Sequence, residues 1–316
     1  MPIPVGKDGD RVIQVFSKKE NKPHHYGFME MGAGYDPNSV GFNPIEISIS
    51  EDGEKWVSIY DVPDLEGILV ADTPYVAQAK ATNTYQKVGI NDGQGLLSST
   101  YDQRELKMIV VFNGMNRADT ELAYDALQRF LFSRTPYWIC FANWPQRMYY
   151  VLTESISATH LTDKGYVAEV TFIDQIGLSR SVGTTKDWDS HLVGFGNNES
   201  VDGEKYSFTS SAFTLRNLSD VQIDPERRGH PFKMTLQGSS GGKMKVTNKT
   251  TGDSISREKA FNGTFVLDGV NPILDGKGDL LNTDYGIITL QIGNNDFQVD
   301  NFSGTISFDF PMWWLS

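Results

Sequence analysis

Six runs in the last third of the chain carry the hydrophobic pattern of strands. They are AFTLRN (212–217), FKMTLQG (232–238), KMKVTN (243–248), GTFVLDG (263–269), GIITLQIG (286–293) and GTISFDF (304–310). Turn-forming clusters such as KTTGD, DGKGD and IGNND separate them. No helical pattern intervenes, so residues 208–316 are expected to form an antiparallel β-sandwich. Earlier in the chain, EISIS (46–50) and KWVSIY (55–60) face each other across the turn EDGE. RVIQVF (11–16), LKMIVVF (106–112), YWICF (137–141), RMYYVL (147–152) and YVAEVTFID (166–174) also read as strands. One segment reads as a helix, NRADTELAYDALQRFLFSRTP, with Leu122, Ala126, Leu127, Phe130 and Leu131 at helical spacing. Asn116 or Asp119 can cap its start, and Pro136 lies just past its end. This stripe is expected to pack on a sheet.

Gly, Ser, Asn and Asp crowd into residues 183–211, where the apolar periodicity is lost. The fold class expected is therefore mainly β, with an N-terminal domain over 1–190, a linker over 191–207 and a C-terminal domain over 208–316. The closing run, ISFDFPMWWLS, places Trp313 beside Trp314 after a strand whose Phe308 and Phe310 share one face. Pro311 ends the regular pairing, and at least one of the two indoles is expected to pack on the N-terminal domain or on a neighbouring subunit.

With 316 residues, 39% apolar and 22% charged, the chain has the composition of a folded protein with room for two domains. No stretch approaches the roughly 20 apolar residues of a membrane span, so no membrane association is expected. MPIPVGKDGDRV has neither a basic nor an apolar region of the secretory kind, and the expectation is folding in a cytosol. The net charge of −12 is concentrated early: residues 1–199 hold 17 basic against 26 acidic side chains, and residues 200–316 hold 11 against 14. A nucleic-acid-binding surface needs the opposite sign.

Side chains able to carry chemistry are scattered. His24, His25, His160, His191 and His230 include no HExxH or HxH pair, so no metal is expected. Asp275, Asp279 and Asp284 are hard oxygen ligands, but their spacing departs from the EF-hand register and reads as turn chemistry. Asp187 and Asp189 flank Trp188 with nothing to raise a carboxyl pKa. GAGY (32–35) and DGQG (92–95) lack the further glycines and the following helix of a phosphate loop. The single cysteine, Cys140, lies in the apolar run YWICF and reads as a small hydrophobe. The expectation is no catalytic residue, no cofactor and no metal: a binding or assembly protein rather than an enzyme.

Two blocks carry a family resemblance. The first runs from Val88 to Arg180 as VGINDGQGLL, ELKMIVVF, TELAYDALQRFL, YWICFANWPQRMYYVL and YVAEVTFIDQIGLSRS. The second, after residue 208, combines N…P-x-R…P, TN-x-TTG, L-x-x-G-x-N-x-F and a terminal F-D-F-x-x-W. In this order they resemble the distal tail (Dit) protein of long-tailed siphophages that infect Gram-positive hosts. The family's V-P-G-R-D-G is matched here at Val88, Asp92 and Gly93, with Gly89, Ile90 and Asn91 in place of Pro-Gly-Arg.

The resemblance implies a split-barrel-like N-terminal belt domain with one helix and a galectin-like C-terminal sandwich. It implies a homo-hexameric ring at the virion tail tip, assembled in the host cytoplasm. Its partners would be the tail tube (major tail) protein, the tape measure protein and the tail-associated lysin or tail fibre protein. DNA would pass through its channel without specific binding. Two readings stand beside this one. One is a carbohydrate-binding module stacking host glycan on Trp56, Trp313 or Trp314, and the other is a wall-degrading enzyme with an acid pair hidden in the fold.

Overall fold

The computed structural model describes residues 13–20, 22, 44–74, 79–87, 89–90, 92–187 and 204–316. These fall into two compact units, residues 13–179 with 315–316, and residues 180–187 with 204–314. Both are built of antiparallel sheets, and one α-helix occurs among the described residues. The mainly β class with a single helix is the one expected.

The first unit contains β1 (Ile47–Ser50), β2 (Val57–Ser58), β3 (Ile68–Asp72), β4 (Lys80–Gln86), β5 (Gly95–Asp102) and β6 (Arg104–Asn113). The helix α1 (Arg117–Leu131) follows, then β7 (Tyr137–Phe141), β8 (Arg147–Thr162) and β9 (Gly165–Asp174). Seven of the strands form one antiparallel sheet in the order β2-β1-β7-β8-β9-β6-β3. The N–H of Ile45, entering β1, donates to the carbonyl of Val70 in the edge strand β3 at 3.0 Å. This bond links the β1 side of the sheet to its β3 edge.

Strict alternation in β6 turns Leu106, Met108, Val110 and Phe112 into the core and leaves Glu105 and Lys107 outside. Helix α1 packs on this core through Ala123, Ala126, Leu127 and Leu131. Its cap is Asn116, whose side chain accepts from the Asp119 N–H at 3.1 Å. Leu122, expected in the buried stripe, is instead 65% exposed. It precedes Leu127 by five residues, which places it about 140° around the helix from the buried face. The expected strand at 11–16 is also corrected in part. Residues 13–16 have no strand partner even though Val15 and Phe16 are buried, and residues 11–12 lie outside the described residues.

The second unit begins in β10 (Ser179–Ser181) and continues through β11 (Ser207–Phe208), β12 (Ala212–Asn217), β13 (Lys233–Ser240), β14 (Met244–Asn248) and β15 (Ser254–Arg257). After these come β16 (Phe261–Asp268), β17 (Asn271–Leu274), β18 (Lys277–Gly278), β19 (Gly293–Asp300), β20 (Ser303–Asp309) and β21 (Trp313–Trp314). One sheet has the order β11-β20-β13-β16-β17-β18 and the other β12-β19-β14-β15. The sheets meet through aromatic side chains. Phe213 stacks on Phe297 at 5.3 Å, and Phe308 from the opposite sheet lies 5.1 Å from Phe297.

GIITLQIG, expected as a strand, is irregular over 286–292 apart from a bridge between Leu290 and Ile223. Side chains replace the missing ladder. Asn248 donates to the Thr289 carbonyl at 2.8 Å, Asp253 accepts from the Thr289 N–H at 3.0 Å, and Asn295 bonds both the N–H and the carbonyl of Gln291. Asn248 also donates to Asn295 at 3.0 Å, and both amides are fully buried. The motifs TN-x-TTG and L-x-x-G-x-N-x-F thus hold an apolar segment in place by satisfying its backbone.

Candidate assembly surface

Strands β4 and β5 form a hairpin that pairs only with itself among the described residues, and every residue of both strands is exposed. Sequence reading missed it. The signal was present in the sequence DGQG between two strand-compatible runs, KATNTYQ and GLLSSTYD. DGQG is therefore a hairpin turn, with Gly93 at φ +82°.

The base of the hairpin is clamped. Asp102 ends β5 and Arg104 opens β6, where Arg104 makes a buried ion pair with Asp174 at 2.9 Å. Gln103 donates to Gln175 at 2.8 Å. Gly177, at φ +73°, passes so close that a Cβ there would lie 2.1 Å from the Asp102 carbonyl. Lys80 pairs with Asp102 at 3.5 Å, and Thr82 donates to the same carboxylate at 3.3 Å. Backbone hydrogen bonds from Gln103 help hold Asp102 ionised, with its pKa below the ordinary value.

Along the hairpin, the shaft and the far end differ in chemistry. The shaft is polar, with Thr82, Asn83 and Thr84 opposite Thr100, Ser99 and Ser98. The far end is apolar: Tyr85 is 54% exposed and sits opposite Leu96 at 59%, with Leu97 at 64% and Ile90 at 99%. A two-stranded hairpin is marginal alone in water, and this one carries four exposed apolar side chains toward its far end.

The residues singled out for chemistry do other work. Asp275 accepts from the Thr264 N–H at 2.8 Å, Asp284 from the Ser256 N–H at 2.9 Å, and Asp279 pairs with Arg257 at 2.5 Å. Burial pushes the Asp279 carboxyl pKa up, but hydrogen bonds from Arg257 and Asn282 outweigh it and leave the pKa low. The three carboxylates are thus committed to separate partners. No group of three metal-ligating side chains occurs among the described residues. Asp187 accepts from the Thr184 N–H at 3.2 Å, while Trp188, Asp189, His24, His25, His191 and GAGY lie outside the described residues. His160 falls in β8. Cys140 is fully buried, and burial raises its thiol pKa far above the usual value.

Trp313 and Trp314 are 4% and 0% exposed, so neither indole is a free platform. Trp313 is covered within its own unit, by the His230 ring at 5.2 Å and the Arg180 guanidinium at 6.0 Å. Burial holds the His230 pKa below 6.5, and its Nδ1 accepts from the Asp224 N–H at 3.2 Å. Trp56 is half-buried.

Residues 57–173, which include the hairpin, match the family model of the phage tail protein RIFT-related domain. No curated protein matches the sequence. Among solved structures, the chain shares its fold with the Dit (gp 19.1) protein of phage SPP1, described as a hub of the adsorption apparatus in phages infecting Gram-positive hosts. The TM-score is 0.58 at 15% identity, covering 84% of this chain and 99% of that one. A second similarity is to the baseplate of phage P2 in its activated conformation, with a TM-score of 0.41 at 11% identity over 85% of this chain and 97% of that one. The resemblance to siphophage distal tail proteins read from the two sequence blocks is therefore met by a shared fold.

Proposed function

We propose that this protein is a structural hub of a siphophage tail tip. Six copies close into a ring through residues of the first unit. The ring joins the tail tube and tape measure end to a tail-associated lysin or fibre and surrounds the channel through which DNA passes. Residues 1–190 act as the belt domain, and residues 208–316 form an outer, galectin-like sandwich. The protein works without catalytic chemistry, is assembled in the host cytoplasm and remains in the virion.

The observation that carries this reading is the clamped, solvent-surrounded hairpin with an apolar end, lying inside the segment that matches a phage tail domain. Such an arm gains apolar contacts by assembly. The acidic excess before residue 200 suits a channel that lets a polyanion slide through without holding it. The glycan-stacking alternative loses Trp313 and Trp314, whose indoles are buried. Negative-stain imaging of the purified chain is expected to show six-fold rings with a central hole. A field of single particles of one-chain size at every concentration would sink the proposal.

A further inference from the structure

We propose that the apolar end of the β4–β5 hairpin seats in a groove on the first unit of the neighbouring copy, beside the sheet edge formed by β2. This deepens the hub reading and rests on it. The groove has a volume of about 530 Å³ and is lined by residues that include Val57, Phe130, Phe132, Glu51, Asp52 and Lys55. Val57 is 47% and Phe132 is 44% exposed, so the apolar floor is open to solvent within the chain. The hairpin does not fill its own groove, since Tyr85, Leu96 and Leu97 all stand in solvent.

Two features select a second copy as the occupant. One is apolar matching: the same unit carries a protruding apolar end and, on different elements, a mixed groove in which Val57 and Phe132 stand exposed. Such a pair makes a head-to-tail contact, the kind that closes into rings when the rotation allows. The other is charge. Lys87 is exposed just past β4, two residues beyond Tyr85, while the exposed charges that line the groove are Glu51, Asp52 and Lys55, two carboxylates against one ammonium. Backbone N–H groups of Lys55 and Glu54 donate to Asp52 at 2.8 and 2.7 Å, and these bonds lower its carboxyl pKa. Lys55 offsets one of the two carboxylates, so the rim keeps a net negative charge, and a seated hairpin brings the Lys87 ammonium toward Glu51, which sets its direction of entry.

The test is cysteine cross-linking on the full chain, made clean because the native Cys140 is fully buried. Val57→Cys and Leu97→Cys are combined in one chain and treated with a short bis-maleimide, with each single variant as control. The proposal predicts a covalent ladder up to six chains from the double variant and little product from either single. Native mass spectrometry of the untreated double variant is run alongside. An intact hexamer without the ladder overturns the groove and leaves the ring reading standing. Efficient cross-linking of Leu97→Cys alone also overturns it, because the hairpins then meet each other. A chain that stays monomeric overturns both readings. In a second arm, Lys87→Glu is expected to weaken the ring at least tenfold and Glu51→Lys in the same chain to restore much of it. Equal weakening with and without Glu51→Lys counts against the charge match.

Discussion

Replacing Leu96 and Leu97 together by threonine separates assembly from folding. Both side chains are exposed in the single chain, at 59% and 64%. Threonine keeps the β-propensity of the strand, so the fold should tolerate the change within about 0.5 kcal/mol. Burying a leucine fully is worth about 1.5–3 kcal/mol. About six-tenths of that remains available when a partner covers these side chains, or roughly 1–2 kcal/mol each. The double variant should therefore lose about 2–4 kcal/mol per interface, a weakening of roughly 30- to 700-fold at about 1.4 kcal/mol per tenfold. Mass photometry over a dilution series reads this as dissociation at correspondingly higher concentration. Thermal unfolding of the dissociated chain, followed by circular dichroism, should match that of the dissociated parent. Dissociation within threefold of the parent would refute the argument that the hairpin end is an assembly contact.

Further predictions concern the two units separately. Asn248→Ala orphans the Thr289 carbonyl and leaves the Asn295 amide oxygen with the Gln291 N–H alone, and a buried orphan costs about 1–3 kcal/mol; a urea midpoint unchanged from the parent would contradict the structural role given to this motif. Arg104→Met strands the fully buried Asp174 and should cost about 3–5 kcal/mol in denaturant unfolding, whereas Arg104→Met with Asp174→Asn should recover most of it. Gly177→Ala drives a methyl into the Asp102 backbone and loosens the base of the hairpin; faster amide exchange in β4 and β5 is expected, and unaltered exchange would show that the clamp is elsewhere. Burial lowers the His230 pKa against the opposing Asp224 charge, so the unfolded chain takes up its proton near pH 6.5 and the folded chain only below that. Stability from this group is complete above pH 6.5 and is lost as the pH falls through the folded value. His230→Asn keeps an acceptor for the Asp224 N–H and should flatten this part of the urea-midpoint profile.

Most of the β framework was legible because it rests on local alternation. The inward residues of β6 and the inter-sheet phenylalanines of β19 and β20 fall where a period of two puts them. What escaped reading depends on partners distant in sequence. GIITLQIG has the pattern of a strand, yet Asn248, Asp253 and Asn295 satisfy its backbone in place of a ladder. KWVSIY shortens to the two residues of β2 because Ser58 accepts from the Tyr60 N–H and starts a 3-10 turn at Ile59. The β4–β5 hairpin carries little hydrophobic signal, since every residue of its two strands is exposed and neither face alternates apolar with polar. At least one of Trp313 and Trp314 was expected on the N-terminal domain or a neighbour; the two side chains that meet Trp313, His230 and Arg180, are contacts that periodicity does not encode.

Native mass spectrometry of the unmodified protein, read over a hundredfold range of concentration, decides whether the chain closes into a ring of six. A dominant species at six times the 35.3 kDa chain mass is expected, giving way to smaller assemblies on dilution. A single 35.3 kDa species across the whole range would contradict it.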